Sequence, residues 1–227
     1  MAIRGILFDL DGTVINTNEL IFQSFEYALD KVLHTSLSRD ILRTTFGKPL
    51  AQIMQEMGGE QAQELRQAFV DYSIAHENDI YLFPGVEEAL KELKARNIGT
   101  AVVTSRLYRS ALRDLHQFEL EKYFDVFITP EATEKHKPNP EPALKALEQL
   151  GIQPHEAIMA GDSGLDLLCG KQAGCKTAAV RYSLFPMEEL LEYQPDYIID
   201  SLLDLTAICE KINRIITENI SEKHCRE

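Results

Sequence analysis

Apolar residues fall along this chain in short runs, not in one long stretch. Ile3–Phe8, Thr100–Val103, Val126–Thr129, Ala157–Ala160, Thr177–Val180 and Tyr197–Ile199 are the clearest. Runs this short, with little polar alternation, predict strands buried on both faces. Between them, Val86–Arg96, Tyr108–Phe118, Glu141–Leu150 and Leu165–Ala173 repeat apolar residues at the spacing of amphipathic helices. Strands alternating with helices of this length predict right-handed βαβ units around a parallel sheet, an α/β fold.

One stretch breaks the rhythm. From Thr17 to Ile80 no strand pattern occurs, and helical periodicity dominates in "LIFQSFEYALDKVL", "PLAQIMQEM" and "EQAQELRQAFVDYSIAHENDI". This predicts a helical unit over 16–80, inserted into a core made of 1–15 and 81–227. Ile15–Asn18 and Tyr81–Gly85 are the expected hinges, with Pro84-Gly85 reopening the α/β pattern. The polar stretch Asn213–Glu227 is expected to fray.

Composition narrows the function classes. A chain of 227 residues supports one good core plus a smaller unit. The formal net charge of −13 argues against nucleic acid or an anionic membrane as partner. An anionic substrate would have to be drawn in by local positive charge or a metal. No window approaches the ~18 apolar residues of a membrane span, and the apolar stretch at the N-terminus is too short for a signal peptide. Cys169, Cys175, Cys209 and Cys225 form no CxxC pair; thiols of a reducing cytoplasm are the expectation. The expected assembly is a monomer or weak dimer.

In open parallel sheets, ligands bind beyond the carboxyl ends of the strands. The residues just after the apolar runs are therefore the candidates. The first run ends in Asp9 and Asp11, within "ILFDLDGT". Two buried like charges one residue apart repel and are costly, so something must compensate. The second run ends in Thr104-Ser105 and the fourth in "GDSGLD", with Asp162 and Asp166; the third is followed by "EKHKPNPEP". Asp9, Asp11 and Asp162 make a hard-oxygen set of the kind that selects Mg²⁺. A cation there, beside a hydroxyl and a lysine, suits phosphoryl transfer. Metal and lysine neutralise phosphoryl charge, an aspartate serves as nucleophile, and a second aspartate carries protons.

"DLDGT" after an apolar strand, then "VVTS", "KPNPEP" and "GDSGLD" in that order, resemble the four signature motifs of the haloacid dehalogenase superfamily. The likeness spans essentially the whole chain. It implies a Rossmann-like core with a small helical cap inserted after the first motif. It implies Asp9 as nucleophile and Asp11 as general acid/base, the latter giving its backbone carbonyl to Mg²⁺. Thr104 would bind a phosphoryl oxygen, and Lys137 would balance charge and orient the nucleophile. Asp162 would bind the metal directly, with Asp166 supporting the metal shell or Lys137. Lys137 is chosen over Lys135 because it directly precedes Pro138. Asp11 favours phosphatases over dehalogenases, which lack that second acid. Ile21 stands near where the related mutases carry a histidine. Phosphonatases would need a Schiff-base lysine in the cap.

Ser105, Arg106, Gly47 and Lys48 are the candidate substrate-binding residues. Gly47-Lys48 lies in "TTFGKPL", which looks like a loop that closes over the site. Asn16 and Asn18 could contact substrate or form turns, and His136 is read as structural. The expected substrate is a small phosphate compound. The segments "FDLDGTVINTNELI" and "AGCKTAAVRYSLFPMEELLEYQPDYIIDSLLDL" resemble bacterial members of the superfamily that cleave pyrophosphate, and also members that cleave phosphoglycolate. A generalist sugar or nucleotide phosphatase is a further alternative. A module that binds a phosphoanion without turnover is the alternative of another class.

Overall fold

The first apolar run becomes a fully buried strand, β1 (Gly5–Phe8), at the centre of the sheet. This is seen in a computed structural model, which describes residues 2–224. Ile15–Asn16 (β2) and Tyr81–Leu82 (β3) pair antiparallel as a two-strand ribbon apart from the main sheet. The two expected hinges thus run side by side. Between them lie α1 (Asn18–Ala28), extended by a π-helical turn over Leu29–Leu33, then α2 (Arg39–Arg43), α3 (Leu50–Gly58) and α4 (Ala62–Ala75). These helices share a hydrophobic cluster of their own, including Phe22, Phe25, Leu42, Met54, Leu65 and Phe69.

After the ribbon the chain alternates regularly. It forms α5 (Val86–Ala95), β4 (Gly99–Val103), α6 (Tyr108–Gln117), β5 (Val126–Ile128), α7 (Glu141–Leu150), β6 (Ala157–Gly161), α8 (Gly164–Ala173), β7 (Lys176–Val180), α9 (Met187–Glu192), β8 (Tyr197–Ile199) and α10 (Leu203–His224). The sheet order is β5-β4-β1-β6-β7-β8, and every pairing in it is parallel.

Burial on both faces explains the unbroken apolar runs. Ile6 and Phe8 face a cluster with Val86, Leu90 and Leu93 of α5, Leu115 of α6 and Leu205 of α10. Leu7 faces the opposite side, with Ala143 and Leu147 of α7 and Cys169 of α8. Alternate residues of one strand therefore enter different cores.

The C-terminal stretch departs from expectation. Asn213 onward continues α10 as helix to His224, and residues 225–227, with Cys225, lie outside the described residues. The anchor is visible: Ile208 and Ile212 pack on the main core, and the Asn213 side chain bonds the Ile3 backbone, accepting from its N–H at 2.8 Å and donating to its carbonyl at 3.1 Å. The first strand is also shorter than its apolar run, since Ile3 is buried but not paired in the sheet.

Candidate active site

The site grows from the centre of the sheet. β1 lies between β4 and β6, with Phe8 opposite Val102 and Ala160. The residues just beyond the three strand tips are Asp9, Thr104 and Asp162, all buried. The backbone N–H of Asp9 still bonds Ala160 O at 2.9 Å, and that of Thr104 bonds Ile128 O at 3.0 Å. The sheet ladder thus reaches Asp9 and Thr104 and fixes their backbone.

Lys137 comes from the loop after β5 and enters this cluster with a side chain only 2% exposed. Its Nζ donates to Asp9 Oδ1 at 2.6 Å, to Asp166 Oδ1 at 2.6 Å and to Val103 O at 3.1 Å. All three ammonium donors are therefore placed. Burial alone would lower its pKa, but the charges of Asp166 and Asp9 outweigh that and hold it above the ordinary lysine value. Asp166 uses its other oxygen within the N-terminal turn of α8, accepting from the Ser163 N–H at 3.1 Å and the Ser163 hydroxyl at 2.6 Å. Both Asp166 oxygens are thus engaged, and its first task here is to hold Lys137.

Asp162 is different. It is 5% exposed, and among the described residues its carboxylate has no hydrogen-bond partner. Burial, then repulsion from Asp9 and Asp166, raises its pKa well above the carboxylate range. Burial and Asp166 likewise push Asp9 up to about 7, against the opposing pull of Lys137. Oxygens of Asp9, Asp162 and Asp166 lie within 4.8 Å of one another. A buried carboxylate without a partner, converging on two others, is the donor set a hard divalent cation fits. Such a cation would bring both raised acids back to their ionised forms. Gly12 makes the approach possible. At φ +78° it turns the loop against Asp162, and a Cβ there would lie 2.3 Å from Asp162 Oδ2.

Asp11 lies at the rim. Its Oδ1 accepts from Thr17 Oγ1 at 2.6 Å, and its Oδ2 lies 3.4 Å from Arg106 Nε. Arg106 also pairs with Asp114 of α6, a carboxylate 2% exposed, whose other oxygen takes Arg113 Nε at 3.1 Å. The structure brings Arg106 to the site but holds it there between two carboxylates.

Besides Thr17, the helical unit reaches the site through the loop around Gly47. The Ser105 hydroxyl donates to the Gly47 carbonyl. Gly47 sits at φ +83°, where an added Cβ would lie 3.1 Å from Leu165 and 3.3 Å from Ser163 Oγ. Lys48 points elsewhere, to Glu56 Oε2 at 3.2 Å. Asn16 donates to the Tyr81 hydroxyl across the ribbon at 3.1 Å. Lys135 is exposed, and its backbone N–H bonds Glu141. His136 lines a small cavity beside Thr104 and Lys137.

Sequence reasoning passed over Thr17 and Asp114, and placed Ser163 at a strand end without a role. Ser163-x-x-Asp166 is a legible helix-start pattern. Asp114 falls three and one residues from buried Ala111 and Leu115, and a charge on that face of α6 was the available signal.

The model of the haloacid dehalogenase-like hydrolases matches residues 6–180. The chain belongs to that family. It is 41% identical over 212 residues to a Clostridium perfringens protein named "Putative pyrophosphatase PpaX", covering 93% of this chain and 99% of the relative. It is 36% identical over 209 residues to the pyrophosphatase PpaX of Halalkalibacterium halodurans, covering 92% and 97%. Among solved structures, one described as a predicted phosphoglycolate phosphatase from Haemophilus somnus superposes with a TM-score of 0.83 at 25% identity, covering 91% of this chain and 97% of the other. The chain is an enzyme of the family's phosphatase kind, with its Rossmann-like α/β core. Among the described residues, no helix is long and apolar enough to cross a membrane.

Proposed function

We propose that the protein is a Mg²⁺-dependent phosphohydrolase that acts on a small phosphate compound, inorganic pyrophosphate first, through a phosphorylated Asp9. The observation that carries this is the placement of Asp9. It lies at the tip of the central strand, 2.6 Å from the Lys137 ammonium and beside the unpartnered Asp162.

In the first step an Asp9 carboxylate oxygen attacks phosphorus. The P–O bond to the leaving group breaks, and Asp11 gives that oxygen its proton. In the second, Asp11 takes a proton from water, the water oxygen bonds phosphorus, and the acyl-phosphate bond breaks to free phosphate and Asp9. Thr104 and the Lys137 ammonium hold phosphoryl oxygens in line and balance their charge. Asp9, Asp162 and the backbone carbonyl of Asp11 would hold Mg²⁺, with Asp166 behind them. When bound, the metal supplies charge neutralisation on the phosphoryl group. Arg106, Ser105, Gly47 and Lys48 are assigned to the distal part of the substrate, with 16–80 as a cap over a core of 1–15 and 81–227. The ribbon of β2 and β3 and the separate cluster of α1–α4 support that division.

Pyrophosphate is favoured because relatives named as pyrophosphatases align over more than nine-tenths of both chains. The Haemophilus somnus neighbour keeps phosphoglycolate as the second reading. A module that only binds phosphoanions would have no need of a complete set of Asp9, Asp11, Thr104, Lys137 and Asp162. We place the enzyme in the cytoplasm, as a monomer or weak dimer. Cys169, Cys175 and Cys209, all free and buried, are consistent with a reducing compartment.

The test is phosphate release with Mg²⁺ from pyrophosphate, phosphoglycolate, sugar and nucleotide monophosphates and p-nitrophenyl phosphate. Preference for pyrophosphate, lost in Asp9→Asn, is expected. Preference for phosphoglycolate would select the second reading, and no release from any would favour the binding module.

A further inference from the structure

The segment after β7, "YSLFP", has no assigned role, yet its consecutive residues reach four different parts of the molecule. The Tyr182 hydroxyl donates to the Thr13 carbonyl at 2.8 Å, in the loop that carries Asp9, Asp11 and Gly12. Its ring stacks on Phe83 beside the ribbon, with centroids 4.2 Å apart. The Ser183 hydroxyl donates to the backbone carbonyl of Asp162 at 2.6 Å and accepts from the Phe185 N–H at 2.8 Å. Leu184 packs into the cluster of the helical unit, away from the main core. Phe185 joins Leu167 and Leu190 in a cluster against α8, next to Asp166. From the helical unit, Arg43 of α2 closes the contact. It donates to Leu184 O at 3.2 Å, lies over the Phe185 ring at 5.7 Å and pairs with Glu189 at 3.6 Å.

Four residues thus grip the nucleophile loop, the backbone of a candidate metal ligand, the ribbon and the helical unit together. We propose that Tyr182–Phe185 is a positioning strap: docking of the helical unit on Leu184 sets the backbone of Asp162 through Ser183 and that of the Asp11–Thr13 loop through Tyr182. The chemistry is then assembled only when the helical unit is seated. The functional half of this rests on the reading of Asp162 as a cation ligand; the mechanical half does not. None of Tyr182, Ser183, Leu184 or Arg43 touches the reacting atoms, so all act through other residues. The sheet cannot supply this link, because β1 and β6 end before the loops the strap holds.

The experiment uses the full chain with Leu184→Ala and Arg43→Ala on the grip side and Tyr182→Phe with Ser183→Ala on the site side. Two readouts are taken: the Mg²⁺ dissociation constant by calorimetry, and hydrogen exchange of the Gly12–Val14 and Asp162–Ser163 amides in chelator. Leu184→Ala and Arg43→Ala should each weaken Mg²⁺ binding at least about fivefold, the lower end for coupled sites. They should also speed exchange at both amide groups while leaving β4 unchanged. Leu184→Ala added to a Tyr182→Phe, Ser183→Ala background, which lacks both links, should bind Mg²⁺ no more weakly than that background alone. Exchange raised only in the helical unit and around residue 184, or a further loss on adding Leu184→Ala to that background, would overturn the strap. A wild type that binds no Mg²⁺ would overturn the metal reading instead, and the exchange data would then decide the strap alone.

Discussion

Lys137→Met tests how much of the site is held by one buried cation. The side chains of Lys137, Asp9 and Asp166 are 2%, 7% and 1% exposed, so water cannot replace the ammonium when it is removed. Two carboxylates would be left facing each other without a positive charge. Breaking a buried ion pair in this way costs about 3–5 kcal/mol, a large share of a total stability of roughly 5–15 kcal/mol. For a chain of this size that is a fall in Tm of roughly 6–20 °C. The sign of the pH dependence follows from Asp9. Its folded pKa, about 7, is raised above the 3.8 of an ordinary aspartate. Its stability contribution is therefore complete below about 3.8 and lost as pH rises through 7. Removing Lys137 removes two influences that pull that pKa down, so the variant loses more between pH 5 and pH 8 than the wild type. Urea denaturation in chelator at both pH values measures this directly. The expected deficit is larger at pH 8 and smaller at pH 5. A deficit under about 1 kcal/mol at pH 8, the range of an exposed pair, would refute the reasoning, as would one that does not shrink towards pH 5.

Other expectations bear on neighbouring residues. Gly12→Ala puts a methyl 2.3 Å from Asp162 Oδ2 at φ +78° and should weaken Mg²⁺ binding at least about tenfold, as displacement of a ligand's support does; an unchanged calorimetric titration would count against Asp162 as a ligand. Mg²⁺ at a hundredfold excess over its Kd should stabilise the protein by about 2.7 kcal/mol. With the Mg²⁺ concentration held at the value that gives this excess at pH 8, the gain in Tm should be smaller at pH 5, because protons on Asp9 and Asp162 compete with the metal. Arg106→Ala should raise KM for pyrophosphate roughly tenfold or more, the worth of a hydrogen bond to a charged group. It should change p-nitrophenyl phosphate hydrolysis little, and equal losses on both substrates would assign Arg106 to the reaction centre.

Much of the architecture was legible because burial leaves simple marks. Strands covered on both faces need apolar residues at every position, so β1, β4 and β6 stand out, and the first polar residue after each falls at the ligand edge of the sheet. Asp9, Thr104 and Asp162 were located by that rule alone. Choosing Lys137 over Lys135 needed the family motif, since both lysines lie on one polar loop. What separates them physically is that Lys137 is buried against Asp9 while Lys135 is exposed. Partners beyond the three- or four-residue reach along one helix face were invisible. Nothing near Lys48 in the chain marks Glu56 as its partner, and nothing near Arg106 marks Asp114 as the group that holds it. The helicity of the C-terminal stretch was missed for the same reason. Its polar composition suggested fraying, whereas its anchor is the backbone of Ile3, 210 residues away.

The measurement that bears most directly on the central claim is a rapid acid quench of the enzyme with Mg²⁺ and radiolabelled pyrophosphate within a single turnover. The account predicts a protein-bound phosphoryl label that hydroxylamine releases, that maps to Asp9, and that is absent from Asp9→Asn. Full turnover with no label at any time point, or turnover retained in Asp9→Asn, would contradict it.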